Sequence, residues 1–63
     1  MPLVNIQILE GRSPEMINDL MKNVTDTVSE SLETPKKNIR VIVTEVPKTH
    51  WAIGGTSAKD LGR

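Results

Sequence analysis

The sequence predicts an α/β protein built as a single βαβ unit with parallel strands, one domain over residues 1–63, and three observations carry that reading. Two short segments, Leu3–Leu9 and Ile39–Val46, have the alternation and the β-branched content of strands. Between them lies one helix-length stretch whose apolar residues recur at spacings of three and four. The third observation is size: a chain of 63 residues buries only about 60% of the surface its unfolded form exposes. A chain this small usually needs help, and with no cysteine it has no disulfide to supply it.

In the first strand Val4, Ile6 and Ile8 share one face, and Leu3, Asn5, Gln7 and Leu9 share the other, which is mixed and not plainly meant for solvent. Glu10-Gly11-Arg12 breaks the strand. Ser13-Pro14-Glu15 then supplies an N-cap, a proline at the first helical position and a carboxylate near the positive end of the helix dipole. From there Ile17, Leu20, Met21, Val24, Val28 and Leu32 make one apolar stripe, with Asn18, Lys22, Asp26 and Glu30 turned to solvent, until Thr34-Pro35 ends the helix. Lys36-Lys37 reads as a solvated charge pair. In the second strand Ile39, Val41 and Val43 alternate with Arg40, Ile42, Thr44 and Val46, so both faces ask for cover. A helix of about 20 residues is roughly 30 Å long and each strand roughly 23 Å, lengths that suit a right-handed crossover returning the chain parallel to its start. The tail from Pro47 to Arg63 holds His50-Trp51-Ala52-Ile53-Gly54-Gly55, in which Gly54-Gly55 reads as a turn and His50 as a polar loop residue.

One helix covers one face of a two-stranded sheet, and the other face and both edges stay open unless another copy of the chain covers them. The pattern therefore predicts an obligate oligomer. Eight Lys and Arg balance eight Asp and Glu with no basic stripe, which argues against a nucleic-acid partner. No apolar run approaches the roughly 18 residues of a membrane span, and no signal peptide is visible, so the expectation is a soluble cytoplasmic protein. A lone histidine without cysteine cannot build a zinc site unless other ligand types join it.

Four residues stand out as candidates for chemistry. Pro2 follows the initiator methionine, and a small second residue favours removal of that methionine, which leaves a secondary amine on a rigid ring. Inside the chain the same nitrogen is an amide without basicity. Arg12, at a strand-to-helix turn, reads on its own as a surface ion-pair partner of Glu10 or Glu15. Arg40 lies in an apolar strand, where an unpaired charge is costly, so it calls for a ligand or a partner carboxylate. Trp51, the only aromatic residue, can plug a subunit contact or line a site.

Pro2, the stretch Ile8-Leu9-Glu10-Gly11-Arg12-Ser13, the strand Ile39-Arg40-Val41-Ile42-Val43-Thr44-Glu45, and Lys48-x-His50-Trp51-x-Ile53-Gly54-Gly55 together resemble the 4-oxalocrotonate tautomerase family of the tautomerase superfamily. The resemblance covers nearly the whole chain. It implies a βαβ protomer assembled as a homohexamer, a trimer of dimers, with no metal and no organic cofactor. It also implies proton transfer between enol and keto forms of small unsaturated 2-oxo dicarboxylates such as 2-hydroxymuconate, usually in aromatic catabolism. By the same resemblance Pro2 is the general base, Arg12 binds the distal carboxylate, and Arg40 meets the 1-carboxylate and 2-oxo group. Trp51 stands where an aromatic wall, commonly phenylalanine, is found, and Leu9 where a backbone N–H faces the substrate. Other readings of the chain are a non-catalytic oligomer that binds an acidic metabolite, and a hydratase or dehalogenase acting on unsaturated acids with the same base.

The chemistry is coherent in physical terms. Moving a proton next to a carbonyl needs a base that is unprotonated near neutrality and positive charge where the enolate forms. Burial and nearby guanidinium groups both disfavour a prolyl ammonium ion, so the arginines would tune the base as well as bind the acid. Strand geometry adds a constraint: Pro2 and Arg12 lie at opposite ends of the first strand, roughly 30 Å apart at 3.3 Å per residue. They cannot hold one six-carbon substrate within a single chain. Antiparallel pairing of first strands from two copies would bring one copy's Arg12 and Trp51 beside the other's Pro2. Geometry allows Arg40 from the same chain as Pro2, whereas the resemblance favours a third chain.

Overall fold

In the computed structural model, which describes residues 1–63, β1 (Leu3–Leu9) is followed by α1 (Pro14–Leu32), a 3₁₀ turn at Lys36–Asn38 and β2 (Arg40–Val46). A second 3₁₀ turn at Lys48–His50 leads into a short hairpin of β3 (Ala52–Ile53) and β4 (Thr56–Ser57). β1 and β2 are parallel, in a register that sets Leu3 beside Arg40 and Leu9 beside Val46. The helix packs on the face carrying Val4, Ile6, Ile8, Val41 and Val43, which are all half-buried. The opposite face, formed by Leu3, Asn5, Gln7, Leu9, Arg40, Ile42, Thr44 and Val46, has no layer over it. Leu3 and Ile42 are 57% and 49% exposed there.

The helix starts where the cap sequence dictates. Ser13 is extended (φ −69°, ψ 154°), and its hydroxyl accepts the Met16 N–H at 3.2 Å. Pro14 occupies the first turn, where its missing N–H costs nothing. The helix ends at Leu32, two residues before the expected Thr34-Pro35 stop, because Glu33 takes the left-handed conformation (φ 51°, ψ 49°) and its N–H donates to the Ser29 carbonyl. The Ser29 hydroxyl also donates to the Thr34 carbonyl at 2.6 Å, holding the chain as it turns away. Leu32, at the end of the apolar stripe, is consequently 61% exposed. α1 is not long and apolar enough to cross a membrane.

Two further details depart from the sequence reading, and the turn read at Gly54-Gly55 forms. β2 begins at Arg40, not Ile39, because the Ile39 N–H closes the 3₁₀ turn on the Lys36 carbonyl at 3.0 Å. Lys36 and Asp26 are not separately solvated: Nζ and Oδ1 meet at 2.7 Å and pin the 3₁₀ turn to α1. The tail is a hairpin, with Gly54 at φ 62° and Gly55 at φ 88°. Positive φ at both central residues is what a type I′ turn demands, and a Gly-Gly pair meets that demand without strain.

Ile39 and Ala58 are the only buried residues of the 63. The shape agrees with that near-absence of a core. The molecule is a slab of 42 × 24 × 13 Å with a radius of gyration of 14.5 Å, where a globule of this length would have about 10.6 Å. Its accessible surface is 4767 Å², against about 4,000 Å² for a folded monomer of this mass. Packing within one chain leaves its hydrophobic surface unfinished.

Candidate functional site

The five candidate residues fall into two groups at opposite ends of the two-stranded sheet. Pro2 precedes β1 by one residue, is half-buried, and accepts the Arg40 N–H on its carbonyl at 3.0 Å. That bond is the first rung of the parallel ladder, so the residue that opens β2 is held against the residue that precedes β1. The Arg40 side chain projects from the uncovered face. Its Nη1 donates to the Lys37 carbonyl at 3.0 Å and makes a marginal contact with the Ile39 carbonyl at 3.5 Å. No carboxylate meets it, because the chain's one ion pair joins Lys36 to Asp26. The cost of an unpaired charge that the apolar strand suggested does not arise within one chain, since Arg40 is exposed and the sheet is open there.

The second group lies at the far end. The Arg12 Nη1 donates to the Leu9 carbonyl at 2.9 Å, and neither Glu10 nor Glu15 forms an ion pair with it. Gly11, at φ 118°, makes the bend that turns Arg12 back toward the strand. The Leu9 N–H points away from β2. The bonds Arg40 N–H to Pro2 and Glu10 N–H to Val46 show that even-numbered residues of β1 face the ladder, so Leu3, Asn5, Gln7 and Leu9 turn their backbone groups to the open edge. Trp51 follows β2 beyond the same end, half-buried, with its carbonyl accepting the Ala58 N–H at 2.6 Å. An open hollow of about 390 Å³ lies at this end, lined by Arg12, Pro14, Ile17, Val43 and Glu45.

Pro2 and Arg40 are thus brought together within one chain, and so are Leu9 and Arg12. The two groups are not. The seven steps from Pro2 to Leu9 span about 23 Å at strand rise, shorter than the 30 Å read from a straight chain because Arg12 reaches back to Leu9. A six-carbon diacid covers only a fraction of either length. None of the surface hollows is lined by Pro2 or Arg40.

Two features of the first group escape a reading by residue type. The Lys37 carbonyl anchors the Arg40 guanidinium, and the only sequence signal for it is the three-residue spacing across the turn that Pro35 opens. The Asp26 carboxyl titrates below its ordinary value, chiefly through its hydrogen bond with Lys36 and then through the charges of Lys36 and Lys22, opposed by partial burial.

The chain is thus a small α/β protein, a βαβ layer with cationic side chains anchored at both ends of its sheet. A family model described as "Tautomerase enzyme" matches residues 2–61. The chain is 51% identical over 63 residues to a 2-hydroxymuconate tautomerase of Stutzerimonas stutzeri, with both proteins covered completely. Among solved structures it superposes on a 4-oxalocrotonate tautomerase isozyme from Methylibium petroleiphilum with a TM-score of 0.93, at 44% identity, covering 98% of this chain and 100% of that one. It also superposes on a chain of the heterohexamer 4-oxalocrotonate tautomerase from Chloroflexus aurantiacus with a TM-score of 0.92, at 38% identity over 97% and 98% of the two chains. The chain belongs to the tautomerase family, and so to the isomerases.

Proposed function

We propose that the protein converts enol and keto forms of a small unsaturated 2-oxo acid, a dicarboxylate such as 2-hydroxymuconate, with the Pro2 amine as general base once Met1 is removed. The observation that carries this reading is the rung between the Arg40 N–H and the Pro2 carbonyl, 3.0 Å long, which sets a guanidinium-bearing residue next to Pro2 at one end of the sheet. The Stutzerimonas relative, named a 2-hydroxymuconate tautomerase, supports the substrate class. The family match that begins at Pro2 supports the position of the base.

The prolyl nitrogen takes a proton from the enol hydroxyl or from carbon and returns it to another carbon of the conjugated chain. Electron density gathers on the 2-oxo oxygen during the transfer, and the Arg40 guanidinium stabilises it there. Arg40 uses one N–H on the Lys37 carbonyl and keeps four donors of its fork for substrate. Arg12, anchored in the same way on Leu9, holds the distal carboxylate, and a planar fork suits that task better than a lysine. The Leu9 N–H on the open edge donates to the substrate, and Trp51 forms an apolar wall.

Within one chain these parts are separated by the length of β1, so the site takes Arg12, Leu9 and Trp51 from another copy, paired antiparallel along the open β1 edge. The missing core and the slab-like shape support self-association. A homohexamer, as a trimer of dimers, is the assembly proposed. The test compares the processed protein with a form that retains Met1, verified by intact mass, in ketonisation of 2-hydroxymuconate. The processed form is expected to be at least about 10²-fold faster, the scale of a positioned acid–base group, with fold and assembly unchanged. Equal rates would sink the mechanism.

A further inference from the structure

The 3₁₀ turn that anchors Arg40 carries a second cation with no role in the chemistry above. Lys36, Lys37 and Arg40 lie within five residues, and the turn packs them at the Pro2 end of the sheet. Lys36 is committed to Asp26 at 2.7 Å, whereas Lys37 forms no ion pair. The backbone of Lys37 is tied to the site through its carbonyl, which holds the Arg40 guanidinium at 3.0 Å. Its position is therefore set relative to the groups that meet substrate. The turn itself is fixed at both ends, by the Asp26–Lys36 pair on the helix side and by the buried Ile39 on the strand side.

We propose that Lys37 is a specificity-determining cation, favouring substrates with two negative charges over those with one by electrostatic attraction at the Pro2 and Arg40 end, without touching the reacting atoms. The inference rests on the reading of Pro2 and Arg40 as the catalytic pair. In a water-like dielectric a unit charge about 8 Å from the proximal carboxylate corresponds to about a two-fold change in affinity for a monoanion, and the distal carboxylate, about 14 Å away, raises this to about four-fold for a dianion. Such an effect acts on capture, so it falls on kcat/KM, leaves kcat at saturation unchanged and fades with salt.

The experiment measures kcat and kcat/KM of wild type, Lys37→Gln, Lys37→Glu and Lys37→Arg with 2-hydroxymuconate and with a monocarboxylate enol of the same 2-oxo type, from low salt to roughly 0.5 M, where the Debye length is about 4 Å. Lys37→Gln should lose about four-fold in kcat/KM for the dianion at low salt and about two-fold for the monoanion, with Lys37→Glu losing about the square of each. Lys37→Arg should match wild type, and at high salt all variants should converge. Lys22→Gln removes the same charge from the middle of α1 and should show less than half the effect on a logarithmic scale. A loss that persists at high salt or falls on kcat would mean that the substitution merely displaces Arg40, and would overturn the proposal. So would equal losses for both substrates, or no loss at all. Arg40→Ala assayed alongside separates the two readings: if it retains full activity the catalytic assignment fails, whereas an impaired Arg40→Ala with a silent Lys37→Glu removes only the role of Lys37.

Discussion

The two ends of the sheet use the same device on different backgrounds. At each, an arginine donates Nη1 to the main-chain carbonyl three residues before it, Arg12 to Leu9 at 2.9 Å and Arg40 to Lys37 at 3.0 Å. A carbonyl anchor orients a guanidinium without neutralising it, so both remain free to meet an anion. The surroundings differ. Around Arg40 the neighbouring charges are Lys36 and Lys37, with Asp26 balancing the first. Around Arg12 lie Glu10, Glu15 and Glu45, and the last of these lines the same hollow as Arg12. The Arg40 end is also locked to Pro2 by a ladder bond, while Arg12 hangs from a bend at Gly11. In the proposed mechanism the Arg40 end stabilises charge developing during the reaction, a task that benefits from rigidity and positive potential. An end that only grips a carboxylate present throughout needs neither.

The largest effect that can break this comparison comes from mixing two inactive variants. If one site draws Pro2 from one chain and Arg12 from another, co-refolding a Pro2 variant with an Arg12 variant places both defects in one site of each mixed dimer and leaves its twin intact. Activity should return to about half per mixed dimer. Mass-verified mixed assemblies without recovery would show that the two ends never meet.

Next in size is the contrast between the arginines. Arg40→Ala should lower kcat by about 10²-fold or more, as expected for loss of a donor to developing negative charge. Arg12→Ala should chiefly raise KM for a dicarboxylate, by the 1.5–3 kcal/mol or so of a hydrogen bond to a charged group, and hardly alter a monocarboxylate. Equal responses of the two substrates to Arg12→Ala would erase the distinction between grip and chemistry.

The smallest expected effect concerns the pair that pins the Arg40 turn. Folding lowers the Asp26 pKa through Lys36, so the stabilisation is present above the ordinary carboxylate value near 3.9 and is lost as pH falls through the folded value. Asp26→Asn should therefore melt slightly below wild type near neutrality, and the difference should vanish well below pH 4. A gap that stays constant into acid would trace to something other than this ion pair. Both side chains are substantially exposed, so the gap is small and shrinks with salt.

What was legible in the sequence is what depends on neighbours along the chain. The alternation over Leu3–Leu9, the Ser13-Pro14-Glu15 cap and the spacing from Ile17 to Val28 each encode one element through local sterics and a single apolar face, and those elements form. The separation of Pro2 from Arg12 follows from strand rise alone, and the structure keeps them apart. The Gly54-Gly55 hairpin was open to the same reading, since a Gly-Gly pair between short β-capable segments is a type I′ signal, but the flanking Ala52-Ile53 and Thr56-Ser57 are too short to show a period.

Tertiary structure decided what depends on register and on chain reversal. That Arg40 lands on Pro2 is set by where the crossover delivers β2, which a shift of one residue would turn to the other face. That Lys36 reaches Asp26, that Glu33 ends the helix early, and that both arginines find carbonyls in place of carboxylates follow from backbone directions that residue type does not specify. The sequence by itself determined that this chain has two long strands, one helix and too little core to stand alone. Only the folded arrangement decided which charged groups share an end of the sheet, because a charge is attracted over distances that the chain's local periodicity does not encode.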